Sequence, residues 1–208
     1  MKLFRLNYKG LSSTPAGEGR ERLNSFFVES LIEYLNVENI SVSNELAKGL
    51  MPELSYGEHG KPYFKSFELA NIFFSISHTK DFAGVAFAKS EVGFDCENMS
   101  TRNYSEDRIR KIANRVFCSD EIEYVFSEIE RFEERFFEIW TAKEAYSKYT
   151  GTGFSEEFRS FSVMEKMNEI DNSVQEKNKP VSIITRKFEE TDIMYSLCAE
   201  NKELQNNG

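Results

Sequence analysis

Hydrophobic residues recur every four positions in the first half of the chain, which is the spacing of one face of an amphipathic helix. Leu23, Phe27, Leu31 and Leu35 follow this spacing and predict a helix over Arg20–Leu35. The same reasoning applies after residue 100, where charged and apolar positions alternate with a helical period. There the pattern predicts helices over Glu106–Phe117, from about Glu121, and over Phe132–Tyr149, the last ending at Gly151-Thr152-Gly153.

Shorter apolar runs bounded by turn residues predict β-strands. His78–Asp81 is short enough to connect two of these strands as a hairpin, and the polar stretch Glu165–Lys179 predicts a loop before a closing hairpin. The predicted strands are Ile72–Ser77, Phe82–Ala88, Val92–Glu97, Val181–Thr185 and Ile193–Ala199.

The order of these elements predicts an α+β fold. Helices that alternate with neighbouring hairpin strands favour antiparallel sheets packed with helices. The order from helix to strands occurs twice, with a break near residue 100, although the sequence letters show no repeat. We therefore expect two similar subdomains related by a pseudo-twofold, residues 1–100 and 101–208, with the functional site between them.

The composition predicts a folded, acidic protein that does not bind nucleic acid or membranes. The chain has 208 residues, 40% of them hydrophobic, and a formal net charge of −9, so it should fold around a core and repel nucleic acid and anionic membranes. No export signal or membrane-spanning stretch is recognisable. Three widely spaced cysteines, Cys96, Cys118 and Cys198, are typical of reduced thiols, so we expect a cytoplasmic protein.

The first candidate for chemistry is the acid pair Asp95 and Glu97 on the predicted strand Val92–Glu97. Side chains alternate along a strand, so both carboxylates point to one face together with Gly93, which leaves room for close approach. Adjacent carboxylates repel each other unless a cation lies between them, and Mg²⁺ prefers oxygen ligands. The alternative is an ordinary solvated strand end, and the pair alone does not decide between the two.

The second candidate is Glu144 with Lys148, four residues apart on one face of the predicted helix Phe132–Tyr149. Such a pair is often an exposed surface contact worth only about 0.2–0.5 kcal/mol. Here Phe136 and Trp140 precede it on the same line of the helix. Charges that continue an apolar line towards a cleft usually require a partner such as a metal or a phosphate.

Basic and imidazole side chains complete the candidates. Lys61 lies between Gly60 and Pro62 on a stiff turn that could direct its ammonium group towards a phosphate. His78 lies where a strand enters its turn, where a lone histidine is more often merely exposed. A cluster of basic residues is interpreted as a solvated helix face. Its members are Arg102, Arg108, Arg110, Lys111 and Arg115.

Several common chemistries have no motif in the sequence. Two histidines and scattered cysteines give no zinc spacing. The sequence also lacks the phosphate-binding loop, the dinucleotide-binding fingerprint and the nucleophile elbow of serine hydrolases.

Taken in order, four motifs resemble one family. They are G-K-P-Y from Gly60, F-S-I-S-H-T from Phe74, V-G-F-D-C-E from Val92 and W-T-A-K-E-A-Y-S-K-Y-T-G-T-G from Trp140. This arrangement resembles the 4'-phosphopantetheinyl transferase superfamily, and within it the monomeric, two-half type that activates surfactin synthetase. The resemblance covers the chain from about Arg20 to Ala199, and the D-x-E and W-x-x-K-E-x-x-x-K motifs are its most specific parts.

The resemblance implies roles for individual residues. Asp95 and Glu97 match the family's metal-binding acids, and Glu144 matches a helix acid that is a metal ligand and proposed base. Lys148 matches a lysine that contacts the phosphates of coenzyme A. Lys61 and His78 match coenzyme A-binding positions, and Glu121 matches an acid that some members use near the metal. Arg20 falls near a family basic residue that holds the 3'-phosphate of the nucleotide, in a loosely aligned region.

The function implied is Mg²⁺-dependent transfer of 4'-phosphopantetheine from coenzyme A to a serine of an acyl, peptidyl or aryl carrier protein, releasing 3',5'-ADP. Lys148 would offset charge on the phosphoryl oxygens while Glu144 accepts the serine proton. Two other functions stay open: a non-catalytic protein that binds coenzyme A or a carrier, and another magnesium phosphotransferase or hydrolase.

Overall fold

The computed structural model of the protein describes residues 1–7, 16–101, 104–153, 156–164, 175–176 and 179–205. Arg102 and most of the predicted loop over residues 165–179 lie outside the described residues.

All four predicted helices are present, with ends displaced by up to four residues. Two short helices that the hydrophobic pattern does not predict, Asn44–Ala47 and Asn201–Gln205, accompany them. The described helices are α1 (Ala16–Val37), α2 (Asn44–Ala47), α3 (Glu106–Val116), α4 (Ser119–Phe126), α5 (Phe132–Thr150) and α6 (Asn201–Gln205).

All five predicted strands are also present. The hairpin turn is shorter than predicted, because the first hairpin strand continues through His78 to Thr79 and Asp81 turns the chain with a left-handed φ of 62°. The described strands are β1 (Lys2–Asn7), β2 (Leu54–Tyr56), β3 (Pro62–Phe64), β4 (Phe73–Thr79), β5 (Phe82–Ala88), β6 (Val92–Asn98), β7 (Gln175–Glu176), β8 (Lys179–Lys187) and β9 (Ile193–Glu200).

The strands form two main sheets and a separate ribbon. The N-terminal sheet has the order β1-β5-β4, the C-terminal sheet has the order β6-β9-β8-β7, and β2 pairs with β3. Every strand pair among the described residues is antiparallel. The predicted α+β fold with antiparallel sheets packed with helices is thereby confirmed. No helix in the described part of the chain is both long and apolar enough to cross a bilayer.

Each main sheet has its own apolar core against a helix. In the N-terminal sheet, Leu31 and Leu35 of α1 are fully buried near Phe87 of β5, and the Tyr34 ring stacks on Phe87 at 5.5 Å. In the C-terminal sheet, α5 lies across β6 and β9 with Phe136 buried. A third apolar cluster contains residues of both sheets, so apolar packing joins the two sheets.

Helix α5 lies directly on the backbone of β6 at Gly93. A Cβ atom at this position would lie 1.8 Å from the Ala145 carbonyl oxygen, so only glycine permits the contact. Helix α5 then ends at Gly151, whose φ of 73° is the left-handed cap that the sequence predicts. The close contact at Gly93 brings the polar face of α5 to the acid pair of β6.

Candidate active site

Strand β6 places Asp95 and Glu97 on one face, two residues apart, as the alternation of a strand requires. Asp95 is 6% exposed and lies opposite Ser196 of β9, whereas Glu97 is half-buried opposite Met194. The alternative interpretation, a solvated strand end, is wrong for Asp95, because its carboxylate is buried against the rest of the site.

Helix α5 adds Lys148 to this carboxylate. The Lys148 ammonium group donates to Asp95 Oδ1 at 2.8 Å and lies 3.5 Å from the Ile76 carbonyl oxygen of β4. Lys148 therefore connects α5 with the edges of both sheets. Its neighbour one turn earlier, Glu144, is only partly exposed, so the pair is not the ordinary surface contact that its spacing also allows.

The electrostatic environment of Glu144 shows how close the three acids lie. Burial, together with the negative charges of Asp95 and Glu97, raises the pKa of Glu144 to about 7, while Lys148 opposes this shift. Carboxylates influence each other in this way only at short range. The carboxylates of Asp95 and Glu97 therefore lie close enough to Glu144 for their charges to affect its pKa.

The side chains present fit a cation, although they are not arranged as a finished metal shell. Among the described residues, no group of three or more His, Cys, Asp or Glu side chains has the geometry to hold a metal ion. However, Asp95 Oδ2 is buried and has no hydrogen-bond partner there. A buried carboxylate oxygen without a partner is costly. Oxygen donors of this kind suit Mg²⁺.

A cavity of about 240 Å³ opens beside these side chains. Its walls come from three elements: the turn between β2 and β3, the strand β4, and the end of α5. The residues that line it are His59, Gly60, Lys61, Pro62, Phe74, Ser75, Ile76, Glu144, Ser147, Lys148, Gly151 and Gly153. The wall therefore carries two ammonium groups, one carboxyl group and three glycines whose missing side chains leave the backbone accessible.

Lys61 lines this cavity and also holds its walls together. Its ammonium group donates to Glu91 Oε2 at 2.5 Å and to the Tyr149 carbonyl oxygen at 3.0 Å. Because Tyr149 belongs to the last turn of α5, Lys61 joins the β2–β3 turn to the helix that carries Glu144 and Lys148. Its predicted contact with coenzyme A stays a prediction.

His78 and Arg20 are not among the described residues that line the cavity. His78 is exposed near the end of β4, and Arg20 is exposed on the first turns of α1. The predicted role of both residues in coenzyme A binding stays a prediction.

Glu121, which the resemblance matches to an acid near the metal, forms a buried ion pair with Lys143. Its side chain and that of Lys143 are both 0% exposed, and the Lys143 ammonium group lies 2.9 Å from each carboxylate oxygen. The backbone N–H groups of Cys118 and Val163 donate to the same carboxylate at 2.7 and 2.8 Å. Glu121 thus anchors α4 to α5, and its charge is not among those that raise the pKa of Glu144.

Sequence reasoning missed two groups at the site. Ser77 donates to Asp95 Oδ1 at 2.8 Å, sharing that oxygen with Lys148. His59 contacts Gly153 so closely that a Cβ atom there would lie 3.1 Å from the His59 Cβ. The alternation Ser75, Ser77 along β4 was an available signal for the first, whereas His59 stands in a turn with no pattern to mark it.

Comparison with known proteins finds related sequences. Residues 91–198, just over half of the chain, match the 4'-phosphopantetheinyl transferase superfamily. The chain is 30% identical over 154 residues to the 4'-phosphopantetheinyl transferase gsp of Aneurinibacillus migulanus, covering 74% of this chain and 56% of that protein. It is 38% identical over 105 residues to the 4'-phosphopantetheinyl transferase AcpT of Salmonella typhimurium, covering 49% and 50%. A holo-[acyl-carrier-protein] synthase from Thermotoga maritima aligns with a TM-score of 0.33 at 16% identity, over 52% of this chain and 61% of that one.

Fold and site together define an α+β protein with antiparallel sheets and a cavity lined by acidic and basic side chains. The chain belongs to the 4'-phosphopantetheinyl transferase superfamily, as its motifs indicate. It spans about half the length of the curated relatives it matches.

Proposed function

We propose that this protein transfers the 4'-phosphopantetheine group of coenzyme A to a serine of an acyl, peptidyl or aryl carrier protein. Mg²⁺ is the proposed cofactor and 3',5'-ADP the second product. Membership of the superfamily supports the reaction class. The observation that carries the proposal for this chain is the ion pair of Lys148 with Asp95, next to the cavity that Glu144 and Lys148 line.

Asp95, Glu97 and Glu144 would hold the metal. Their mutual repulsion and the unpartnered Asp95 Oδ2 are what a divalent cation would relieve. When bound, Mg²⁺ would neutralise charge on the pyrophosphate of coenzyme A and polarise its phosphorus–oxygen bonds.

The cavity suits the anionic part of coenzyme A. Lys61 and Lys148 place two ammonium groups on its wall, and the glycines at 60, 151 and 153 allow a phosphate to approach the backbone. Coenzyme A is longer than a cavity of about 240 Å³ can hold, so its nucleotide end would extend over the surface. Arg20 and His78, both exposed, are the proposed contacts there.

The chemical step forms one bond and breaks one. The carrier serine Oγ attacks the β-phosphorus of coenzyme A, forming a phosphodiester, and the bond from that phosphorus to 3',5'-ADP breaks. Glu144, as the carboxylate on the cavity wall, accepts the serine proton directly or through a water. Lys148 stabilises charge on the phosphoryl oxygens, where positioning and electrostatics provide most of the catalysis.

The test is a carrier-modification assay read by intact-protein mass. Protein, Mg²⁺, coenzyme A and a panel of apo carriers should yield carriers heavier by one phosphopantetheine, and chelation of the metal should stop the reaction. Glu144→Gln keeps the size of the side chain and should lose at least about 100-fold in turnover while coenzyme A still binds. Glu123→Gln, at an exposed position on α4, is the matched control and should retain full turnover.

Three outcomes would contradict the proposal. Coenzyme A binding without a mass shift on any carrier would favour a non-catalytic binding protein. Unchanged turnover of Glu144→Gln would remove the helix acid from the chemistry. Phosphate release from nucleotides without a carrier would indicate a different phosphotransferase or hydrolase.

A further inference from the structure

The two sheets meet along their edge strands β4 and β6, and side chains make the connection. Both strands lie at the end of their sheet, and no backbone ladder joins them in the described part of the protein. An edge strand presents unpaired N–H and C=O groups that need partners when buried. The contact between these strands therefore raises the question of what satisfies the inner edge of β6.

Three hydroxyl groups on one face of β4 reach across to β6. Ser75 Oγ accepts from the Phe94 N–H at 2.9 Å and lies 3.4 Å from the Phe94 carbonyl oxygen. Thr79 Oγ1 lies 3.4 Å from the Asn98 nitrogen, and Ser77 Oγ donates to Asp95 Oδ1 at 2.8 Å. Ser75, Ser77 and Thr79 are alternate residues, so this hydroxyl row follows from the pleat of the strand.

The hydroxyl row fixes a register between the two strands. Ser75 contacts residue 94 and Thr79 contacts residue 98, a separation of 19 in both contacts. Equal separations mean that β4 and β6 run side by side in the same direction. The short contact of Ser75 to the Phe94 N–H, 2.9 Å, is made to the residue directly before Asp95.

The hydrogen bond between Ser75 and the Phe94 N–H is buried. Ser75 is 5% exposed and Phe94 is 0% exposed, so water cannot easily replace the hydroxyl as a partner for the Phe94 N–H. Ser75 also lines the cavity, whereas the Phe94 side chain packs into the apolar cluster that spans both sheets. The Ser75 hydroxyl thus connects the backbone of β6 at Phe94 with the cavity wall.

We propose that Ser75 is a positioning residue for the acid pair: it holds the Phe94 backbone and thereby sets where Asp95 lies relative to the cavity. Ser75 acts through β6 and needs no contact with the reacting atoms. This inference rests on the proposed function for its kinetic consequence, but the contact itself can be tested without any turnover.

The experiment compares Ser75→Ala, Ser75→Thr and Ser30→Ala. Ser75→Ala removes the hydroxyl, Ser75→Thr keeps it with the added methyl next to the cavity, and Ser30 is an equally buried serine on α1 that serves as the control. Amide hydrogen exchange by NMR reports on the Phe94 N–H directly. Carrier modification per folded molecule, as a function of Mg²⁺ concentration, reports on the position of the acids.

For Ser75→Ala we expect Phe94 amide exchange to accelerate about 10-fold, turnover to fall about 10-fold and the half-saturating Mg²⁺ concentration to rise. Ser75→Thr and Ser30→Ala should both keep the wild-type Phe94 exchange rate, turnover and half-saturating Mg²⁺ concentration. A purely structural serine would lower thermal stability without changing turnover per folded molecule or the Mg²⁺ dependence, and that result would overturn the proposal.

Failure of the two proposals can be told apart. If the wild-type protein modifies no carrier, the proposed function fails, while the Phe94 exchange rate still decides whether Ser75 holds β6. Unchanged exchange in Ser75→Ala would refute the positioning role whatever the activity. Should Ser75→Ala not fold, Thr79→Val weakens the same row at its less buried end, and faster exchange at the Asn98 amide with reduced turnover is the expected result.

Discussion

Replacement of Lys143 by methionine is the sharpest test of how α5 is held. Lys143 stands directly before Glu144, and its ammonium group is 0% exposed. It contacts both carboxylate oxygens of Glu121 at 2.9 Å and the Phe161 carbonyl oxygen at 2.6 Å. Lys143→Met keeps the length of the side chain but leaves the buried Glu121 carboxylate without its cation, while the backbone N–H groups of Cys118 and Val163 still donate to it.

The magnitude follows from the burial of the pair. Removal of one partner from a fully buried ion pair typically costs about 3–5 kcal/mol, because the other charge is left uncompensated. Typical domains have a total stability of about 5–15 kcal/mol, so Lys143→Met should lose a large fraction of it. Adding Glu121→Gln removes the stranded charge, and the double variant should be more stable than the sum of the single losses predicts by about 1–3 kcal/mol.

Urea unfolding followed by far-ultraviolet circular dichroism measures these free energies. Lys111→Met is the matched control, because Lys111 is exposed on α3 and its replacement should change stability by less than about 0.5 kcal/mol. A loss below about 1 kcal/mol for Lys143→Met, or strict additivity in the double variant, would refute the reasoning that this pair anchors α4 to α5.

Further predictions concern the site and its surroundings. In metal-free buffer, urea unfolding at about pH 5 and about pH 8 compares the free energy of unfolding of Glu144→Gln with that of the wild type. From the lower to the higher pH, this difference should shift by about 1–2 kcal/mol in favour of the variant. The sign follows because a carboxyl with its pKa raised to about 7 favours the folded state only while protonated, and the glutamine never ionises; an equal difference at both pH values would contradict this. Gly93→Ala should cost about 3 kcal/mol or more in the same assay, since its Cβ would lie 1.8 Å from a carbonyl oxygen, whereas Gly57→Ala, with its nearest atom at 3.7 Å, should cost less than about 1 kcal/mol. If exposed arginines of α3 dock an acidic carrier, Arg108→Glu with Arg115→Glu should raise the carrier KM about 10-fold and leave the coenzyme A KM unchanged.

Periodicity predicted the larger elements because their burial is one-sided. Leu31 and Leu35 recur at helical spacing since one face of α1 packs on β5, and both are 0% exposed. Strands β2 and β3 were missed because each has only three residues, too few for an alternation to stand out. Their pairing depends on contacts with distant parts of the chain, which a local pattern does not contain.

The candidate site was predictable in its residues but less so in its contacts. Alternation along β6 placed Asp95 and Glu97 on one face, and the family motifs indicated Glu144 and Lys148. Sequence spacing could not indicate that Lys148 crosses to Asp95, since the two residues are 53 positions apart. Nor could it separate Glu121, 22 positions before Lys143, from the acids of the site, because both kinds of glutamate look alike until burial assigns their partners.

Strand β6 connects the stability of the protein to its proposed chemistry through its alternation. Phe94 and Cys96 enter the apolar cluster that spans both sheets, while Asp95 and Glu97 face the site. The acid pair therefore cannot shift without disturbing the packing that joins the sheets. Phe94→Leu leaves a space in this cluster and should lower turnover per folded molecule about 10-fold.

Phe27→Leu is the matched control for that prediction. Phe27 is 3% exposed in the separate core of the N-terminal sheet, so its replacement should cost similar stability, about 1 kcal/mol, with turnover unchanged. Both variants are compared by urea unfolding and by carrier modification at a temperature where each is folded. An equal loss of turnover in the two variants would mean that β6 packing does not set the position of the acids.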